Sequence, residues 1–485
     1  MGKNFYSYLP THKDKFFPSN SHSSVISLKK TKILCTIGPV SKSFEALQAM
    51  RRAGMSGIRI NTAFGNPDQH REIINNIRQV GEVPIMLDLK GPELRVKVSR
   101  SIDVKVGDVV EVGEGGPLSF NHNICGQFGV GDTILIDDGK VLLRVTESSD
   151  DRLRMVVEHG GTIEDGKGVN VPGKRLDVPS LSEKDMGFVE LARETGVEFM
   201  ALSFVRRKED VVNLRNVAHG LEAELVAKVE SREGIDNFEE ILKEADGIIV
   251  ARGDLGVEME LEKVPLIQKH MIQRCNQEGK LVITATEMLD SMTSNITPTR
   301  AEVSDVANAI LDGTDVLMLS AETAVGKYPV EAVSMMTRIA KSVEGSVQTR
   351  VKEEEFRNIS STVSRSIRQI AEAMSLSKVI TMTRTGYTAK VITRFRLHQP
   401  IIAVTASRMV QKQLEMYYGV QSIQFDYERE ADRILAVTQM LYSRGIVGKD
   451  ETVLFTAGVR TSKPHASNLI EIHSVAELLE LKRPS

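Results

Sequence analysis

Eight short runs of apolar and β-branched residues, each with a polar tip, recur along the chain from Lys32 onward. The runs are KILCTI, GIRIN, PIMLDLK, FMALSF, ELVAKVE, GIIVAR, LVITAT and VLMLSA. Amphipathic helical stretches that end at Gly or Pro lie between most of them. Eight strand–helix units in about 250 residues predict a (β/α)₈ TIM barrel. A doubly wound sheet is the weaker alternative, because no G-x-G-x-x-G follows the first strand.

The third run is followed by a different pattern. Residues 97–176 contain the short alternating runs VVEV, TILID, VLLRV and RMVVEH, separated by Gly, Asp and Asn. This pattern predicts an inserted all-β domain, a small β-barrel, placed to act as a lid over the barrel. The barrel domain then comprises residues 30–96 and 177–344, and residues 1–29 form an N-terminal extension.

A second alternation of strands and helices follows Glu344. Its strands are KVITMTR, PIIAVTA, VQSIQFD, ETVLFTA and NLIEIH. Five strands cannot close a barrel, so residues 345–485 are predicted to form an open α/β domain. The segment from Thr383 to Thr388 follows its first strand and opens a helix, an arrangement that favours an anion site. An ordinary turn with a capping Thr is the alternative.

Composition and charge exclude several classes of protein. The 485 residues carry a formal net charge of −3, so nothing indicates a nucleic-acid partner or an acidic membrane surface. No apolar run approaches the roughly 20 residues that span a bilayer, and the N-terminus lacks a signal-peptide pattern. The three cysteines, Cys35, Cys125 and Cys275, form no C-x-x-C pair, which favours a reducing cytoplasm.

Polar residues stand at the ends of the predicted barrel strands. They include Arg59, Asn61, Asp88, Lys90, Ser203, Lys228, Glu230, Asp254, Thr286 and Glu322. Because side chains alternate along a strand, Arg59 and Asn61 share a face, as do Lys228 and Glu230. Any one such pair could simply cap the barrel. So many polar strand ends on one rim favour an active site at the carboxyl mouth.

The residue types at this rim indicate phosphoryl transfer. Glu230 and Asp254 come from neighbouring strands, and one or two carboxylates are the usual protein ligands of Mg²⁺ (or Mn²⁺). Lys228 and Arg59 place positive charge where phosphate oxygens would lie. No H-E-x-x-H, Cys/His cluster or Walker A sequence is present, which argues against a zinc centre and a P-loop enzyme.

The segment ARGDLG adds a possible anion cradle. Gly253 lets backbone amides approach an anion closely, and a substrate carboxylate could rest there beside the Thr286 hydroxyl. A structural turn is the commoner explanation for this motif taken alone.

Long segments of the chain resemble pyruvate kinases from about residue 30 to the end. The matching segments are TKILCTIGP, LDLKGPELR, GKGVNVPG, VPSLSEKD, ALSFVR, AKVESREGIDNFEEIL, IIVARGDLGVE, TATEMLDSM and TPTRAEVSDVANAILDGTDVLMLSAET. The resemblance implies a cytoplasmic glycolytic phosphotransferase, a homotetramer, that moves the phosphoryl group of phosphoenolpyruvate to ADP and yields pyruvate and ATP.

The resemblance also implies roles for individual residues. Catalysis would depend on Lys228, Arg59 and Thr286, and Mg²⁺ would be held by Glu230 and Asp254. Phosphoenolpyruvate would contact Arg59, Lys228, Gly253, Asp254, Thr286 and Ser203. K⁺ would be held by Asn61, Asp88 and the Leu89 carbonyl. The nucleotide would contact Pro39, Asn61, Arg95, Asp137, Lys167 and Asn170. A phosphorylated allosteric effector would bind Thr383, Arg384, Thr385, Gly386 and Thr388.

The segment RINTAFG departs from the R-L-N-F-S-H-G of the family. Ala63 lacks the hydroxyl that serves as a K⁺ ligand, and Phe64 replaces a histidine that meets the nucleotide. Glu93 keeps the acid associated with K⁺-dependent members, so we expect K⁺ to be bound, with water replacing the hydroxyl. For Phe64, packing into the core is favoured over stacking on adenine.

Two rival functions stay open on the sequence alone. One is a catalytically weak homologue that senses phosphorylated metabolites, which Ala63 and Phe64 favour. The other is a barrel enzyme that acts on phosphoenolpyruvate through carbon–carbon chemistry, against which the predicted insertion argues.

Overall fold

The computed structural model describes residues 29–91, 94–113, 116–137, 139–174, 176–348, 359–458 and 467–481. The predicted N-terminal extension, apart from Lys29, lies outside the described residues, and so does Glu93. Within these ranges, no helix is long and apolar enough to cross a membrane.

The chain enters the barrel through two complete strand–helix units and a third strand. These elements are β1 (Lys32–Thr36), α1 (Phe44–Ala53), β2 (Gly57–Asn61), α2 (Pro67–Val80) and β3 (Ile85–Leu89). The sequence fixes where the helices start and stop. Ser43 caps α1, which ends at Gly54 in the left-handed conformation, and Asn66 forms a capping box with Gln69 at the start of α2.

The insertion contains strands and no α-helix among its described residues. The strands are β4 (Val96–Val98), β5 (Ile102–Val104), β6 (Val109–Gly113), β7 (Leu118–Phe120), β8 (Thr133–Ile136), β9 (Val141–Ser148), β10 (Arg152–His159), β11 (Gly161–Ile163) and β12 (Val169–Asn170). Seven of them form one sheet in the order β12-β8-β9-β10-β6-β7-β4, and β11 pairs with β5. Their alternating side chains enclose a separate apolar core, which confirms the predicted all-β domain.

The chain then returns to the barrel and completes it. The elements are α3 (Glu183–Thr195), β13 (Phe199–Leu202), α4 (Lys208–Val217), β14 (Glu224–Val229), α5 (Arg232–Asp236), α6 (Phe238–Glu244), β15 (Gly247–Ala251), α7 (Arg252–Glu258), α8 (Val264–Glu278), β16 (Leu281–Ala285), α9 (Arg300–Asp312), β17 (Val316–Leu319), α10 (Ala321–Ala324) and α11 (Pro329–Val343). Eight parallel strands close in the order β1-β17-β16-β15-β14-β13-β3-β2. Each strand coincides with one of the eight predicted runs, so the barrel prediction is confirmed.

The C-terminal domain is an open sheet flanked by helices, as predicted. Its elements are α12 (Ile359–Ala373), β18 (Lys378–Met382), α13 (Tyr387–Thr393), β19 (Ile401–Thr405), α14 (Arg408–Leu414), β20 (Val420–Gln424), α15 (Arg433–Ser443), β21 (Thr452–Ala457), β22 (Leu469–Ser474) and α16 (Val475–Glu480). The sheet order is β20-β19-β18-β21-β22, and only the pairing of β21 with β22 is antiparallel.

The C-terminal domain packs against the amino-terminal end of the barrel. One apolar cluster joins the barrel interior to this domain, and its members include Leu34, Met86, Phe199, Val226, Ile249, Ile283, Leu414, Met416 and Tyr417. Ion pairs surround that contact at the starts of the strands: Lys412 with Glu198 at 3.1 Å, Lys390 with Glu224 at 2.6 Å and Arg396 with Asp315 at 2.7 Å. The opposite, carboxyl end of the barrel is left for the polar rim.

Candidate active site

Five of the predicted rim residues form one connected cluster at the carboxyl ends of neighbouring strands. They are Arg59, Asp88, Ser203, Lys228 and Glu230. All five are buried. Because unpaired charges at such depth would be costly, their mutual contacts stabilise the cluster as well as place its charges for chemistry.

Arg59 is held in place by its neighbours on both sides. Its Nε donates to Asp88 Oδ2 at 2.7 Å, and Nη2 lies 2.6 Å from the same oxygen. Nη1 donates to Thr36 Oγ1 at 3.0 Å. Thr36 ends β1 and was not foreseen as a site residue. The guanidinium is thereby fixed in one plane across three adjacent strands.

Lys228 lies at the centre of the cluster. Its Nζ donates to Ser203 Oγ at 2.7 Å and lies 2.9 Å from Glu230 Oε1 and 3.6 Å from Asp88 Oδ2. Burial alone would lower the pKa of Lys228, but the charges of Asp88 and Glu230 outweigh burial and raise it. The residue is therefore an ammonium ion, suited to stabilising negative charge and unsuited to acting as a base at neutral pH.

The charge of Asp88 is maintained by the same cations. Burial would raise the pKa of its carboxyl, but Lys228 and Arg59 outweigh that effect and lower it. Asp88 Oδ1 also accepts a hydrogen bond from Ser203 Oγ at 3.1 Å. Asp88 therefore pairs with both cations and offsets the repulsion between them.

Glu230 and Asp254 fit a divalent cation that takes most of its ligands from elsewhere. Glu230 Oε2 accepts the Phe204 amide at 2.6 Å, and the charge of Asp254, near the start of α7, reaches Lys228. Among the described residues, no group of three or more His, Cys, Asp or Glu side chains is arranged as a metal site. One or two carboxylates, completed by substrate and water, are the set that Mg²⁺ uses, whereas zinc needs more protein ligands.

Thr286 and Gly253 meet at the next two strand ends. The Gly253 amide donates to Thr286 Oγ1 at 2.7 Å, and that hydroxyl donates to Ala285 O at 2.6 Å. A Cβ at Gly253 would lie 3.5 Å from Thr286 Oγ1, so the glycine is not needed to avoid a clash with this side chain. In this structure the Gly253 amide is therefore engaged by the Thr286 hydroxyl.

The residues predicted to bind K⁺ lie on adjacent strand ends. Asn61 Oδ1 accepts the Ala63 amide at 3.1 Å, and the Leu89 carbonyl accepts the Ser203 amide at 3.2 Å. Asp88 is engaged as described above. K⁺ binding at these oxygens stays a prediction.

The residues predicted to meet the nucleotide fall into two groups. Pro39 and Asn61 line a cavity of about 890 Å³ beside the rim, together with Phe64 and Val325. Phe64 is 74% exposed, so the expectation that it packs into the core is wrong. It occupies the turn between β2 and α2, where none of the described elements covers it.

The second nucleotide group belongs to the insertion or its edge. Arg95 pairs with Gly168 in an isolated bridge, and Lys167 lies 3.2 Å from Asp137. Asn170 Nδ2 donates to Glu258 Oε1 at 2.8 Å. Burial raises the pKa of Glu258. This contact ties the insertion to the barrel one helical turn beyond Asp254, and Glu258 was not foreseen.

The predicted effector residues lie in the loop between β18 and α13 and, for Thr388, in the first turn of α13. Gly386, at a φ of 79°, donates its amide to Thr383 Oγ1 at 3.0 Å. Thr388 Oγ1 lies 2.7 Å from Ser467 Oγ. Arg384 Nε lies 3.8 Å from Glu428 Oε1. Thr385 lies in the same loop. Effector binding here stays a prediction.

Arg252 is a further residue of the rim, named by the sequence as part of a polar strand end but given no role there. Its guanidinium donates to backbone carbonyls around Thr286 and to Asp305. It begins α7 within ARGDLG, so its place at a barrel rim was the available signal.

A closed parallel barrel whose buried cations and carboxylates meet at the carboxyl ends of its strands defines a β/α-barrel enzyme. Residues 28–333 match the family model described as pyruvate kinase, barrel domain, and residues 361–473 match that for pyruvate kinase, alpha/beta domain. The chain belongs to the pyruvate kinase family, and it is a phosphotransferase.

Individual relatives agree with this assignment. The pyruvate kinase of Geobacillus stearothermophilus is 40% identical over 477 residues, which cover 93% of this chain and 81% of the relative. That of Sporosarcina psychrophila is 39% identical over 477 residues with the same coverage. A crystal structure of a pyruvate kinase from Cryptosporidium parvum superposes with a TM-score of 0.85 at 33% identity, covering 92% of this chain and 96% of that one.

Proposed function

We propose that the rim cluster transfers the phosphoryl group of phosphoenolpyruvate to ADP, giving pyruvate and ATP. The observation that carries this proposal is the buried Lys228 ammonium, fixed between Asp88, Ser203 and Glu230 with Arg59 alongside. Phosphoryl transfer needs positive charge held rigidly around the moving group, and this cluster supplies it.

The substrate would lie between the cations and the neighbouring strand ends. Arg59 and Lys228 would face the phosphoryl oxygens. The Asp254 amide and the Gly253 amide would take the carboxylate, the latter in exchange for its contact with Thr286 Oγ1, and the Thr286 hydroxyl would turn from Ala285 O towards it. Lys228 would also stabilise the charge that grows on the enolate oxygen, an interaction that strengthens as the reaction proceeds.

Two kinds of cation complete the proposed site. Glu230 and Asp254 would hold Mg²⁺ (or Mn²⁺), which when bound adds positive charge at the phosphoryl oxygens. Asn61, Asp88 and the Leu89 carbonyl would hold K⁺, with water in place of the hydroxyl that Ala63 lacks.

The insertion would close over this site. We take residues 97–176 as its limits, residues 30–96 and 177–344 as the barrel and residues 345–485 as the regulatory domain. The Asn170–Glu258 hydrogen bond supports a closed position in which water is excluded from the reaction. Arg95, Asp137, Lys167 and Asn170 would then meet the nucleotide phosphates.

The assembly, compartment and regulation form the remainder of the proposal. Exposed apolar side chains at Leu261, Leu266 and Ile296 support self-association, and membership of the family makes a homotetramer the expected assembly. The three cysteines are free and buried, which supports a cytoplasmic location. A phosphorylated effector would bind the loop between β18 and α13.

A coupled assay for pyruvate tests the proposal. With phosphoenolpyruvate, ADP and Mg²⁺ we expect turnover that disappears when either ADP or the divalent ion is omitted and that rises when K⁺ is added. Pyruvate release without ADP would instead indicate other chemistry on phosphoenolpyruvate. No turnover at saturating substrates would favour the sensing homologue.

Phe64 gives a second prediction, for the nucleotide. Its exposed ring beside Pro39 and Val325 offers a flat apolar surface for the base. Because stacking of a base on an aromatic ring is worth about 1–3 kcal/mol, Phe64→Ala should raise KM for ADP roughly tenfold and leave KM for phosphoenolpyruvate unchanged. Phe44→Ala is the matched control, since Phe44 is exposed on α1 and does not line the cavity. Equal KM values for ADP in both variants would rule out stacking.

A further inference from the structure

Two consecutive residues at the end of β16 adopt an unusual backbone conformation. Thr286 and Glu287 have φ values of 68° and 50°. Side chains other than Gly, Asn and Asp rarely occupy this left-handed region, because Cβ approaches the carbonyl oxygen. Such residues persist only where the surroundings hold them. Phe204, after Ser203, has a φ of 54° as well. Thr286 is the one of these residues whose hydroxyl is proposed to meet the substrate carboxylate.

The side chain of Arg252 contacts the backbone of this strained turn at three successive carbonyls. Nη2 donates to Thr286 O at 2.6 Å and to Glu287 O at 3.1 Å, and Nε donates to Ala285 O at 3.3 Å. The planar guanidinium reaches all three from one position. In an extended chain, successive carbonyls point in alternating directions, so one guanidinium could not reach all three. The contacts therefore favour the left-handed arrangement over an extended one.

The far side of the guanidinium is anchored as well. Nη1 lies 2.6 Å from Asp305 Oδ2 on α9. The Arg252 side chain is 11% exposed. Since Nε, Nη1 and Nη2 each donate to groups of the protein, Arg252 is directed at the turn and at α9, away from the space where substrate would lie.

Arg252 also links the two halves of the proposed carboxylate site. It directly precedes Gly253, whose amide donates to Thr286 Oγ1 at 2.7 Å. Strands β15 and β16 are paired at Ala251 and Ala285, just before these residues. The Arg252 side chain thus starts next to the Gly253 amide and ends at the carbonyl of Thr286. It therefore fixes the distance between the Gly253 amide and the Thr286 hydroxyl.

We propose that Arg252 is a positioning residue that holds Thr286 and Glu287 in the left-handed conformation and thereby aims the Thr286 hydroxyl at the substrate carboxylate. The inference rests on the proposed function, because it presumes that this carboxylate is bound by Thr286 and the Gly253 amide. The inference explains the position of the Thr286 hydroxyl: the backbone there is strained, and the Arg252 side chain maintains that strain.

The central test is a loss followed by a conformational rescue. Arg252→Met should raise KM for phosphoenolpyruvate about tenfold while kcat and KM for ADP change less than threefold, since an interaction used equally in the ground and transition states is lost. Glu287→Gly removes the steric penalty at one of the two strained positions. The double variant should recover at least half of the lost affinity on a logarithmic scale, and Glu287→Gly alone should resemble the wild type.

Two further variants separate positioning from charge. Arg252→Lys keeps a cation near Asp305 but cannot reach three carbonyls together, so its KM for phosphoenolpyruvate should rise nearly as far as that of Arg252→Met. Asp305→Asn removes only the anchor and should have a smaller effect. Thermal unfolding of every variant checks that the fold survives, and the rescue by Glu287→Gly is read as a ratio between two variants that both lack Arg252.

The outcomes distinguish this inference from the function on which it rests. A wild type without ADP-dependent turnover of phosphoenolpyruvate would overturn both. An active wild type with an unchanged KM in Arg252→Met would overturn the inference alone. So would full retention of affinity in Arg252→Lys, which would indicate a charge effect, or a raised KM that Glu287→Gly fails to lower.

Discussion

Replacing Lys228 with methionine is expected to lower kcat about 10³-fold or more, because removal of even a neutral donor from a preorganised anion site costs 10²–10³-fold. Methionine keeps much of the length of the side chain and removes the ammonium that lies 2.7 Å from Ser203 and 2.9 Å from Glu230. The lost contact strengthens as charge develops, so the effect should fall on kcat more than on KM.

The fold of this variant should persist with a lowered thermal midpoint, since Asp88 retains Arg59 as its partner and Glu230, which loses Lys228, still accepts the Phe204 amide. Circular dichroism and the thermal midpoint report on folding, and the coupled pyruvate assay reports on turnover. Lys263→Met is the matched control, because Lys263 is exposed and pairs only with Glu260 in this structure. A kcat within tenfold of the wild type in Lys228→Met would remove this residue from the mechanism.

Replacing Asp315 with asparagine is expected to cost roughly 3–5 kcal/mol of unfolding free energy, the typical result of leaving a buried charge without its partner. Asp315 and Arg396 side chains are each 2% exposed and lie 2.7 Å apart between the barrel and the C-terminal domain. Asp315 also accepts the Val282 and Tyr418 amides. An asparagine amide group would turn a donor towards one of these donors.

Urea unfolding followed by circular dichroism measures the change. Arg396→Met should also destabilise the fold, because it leaves the buried Asp315 carboxylate without its cation, and the double variant Asp315→Asn with Arg396→Met should lose less than the sum of the two single losses. Glu260→Gln, which breaks an exposed ion pair with Lys263, should leave the midpoint unchanged. If Asp315→Asn unfolds at the same urea concentration as the wild type, the pair does not hold the two domains together.

The fold could be predicted from local patterns because its strands and helices each show a characteristic periodicity of apolar residues in the sequence. Runs such as GIRIN and VLMLSA are short, apolar and bounded by capping residues, so strand number and order followed directly. The rim followed too, since parallel strands bring their carboxyl ends to one side and alternation places Lys228 and Glu230 on one face.

Contacts between distant elements were beyond the reach of those patterns. Nothing local indicates that Asn170 of the insertion would meet Glu258, or that Arg252 would donate to the carbonyls of the next strand end. The prediction for Phe64 failed for a similar reason. Hydrophobicity favours burial, but exposure depends on whether another layer covers the turn, and none of the described elements does.

Side chains of both the barrel and the C-terminal domain form the apolar core at the amino-terminal end of the barrel. Residues such as Leu34 and Met416 belong to a single packed volume. A change of side-chain size in one domain must be accommodated by the other as well, because the close-packed core contains little empty volume. Evolution of the C-terminal domain is therefore constrained by the barrel domain, even at positions remote from any ligand.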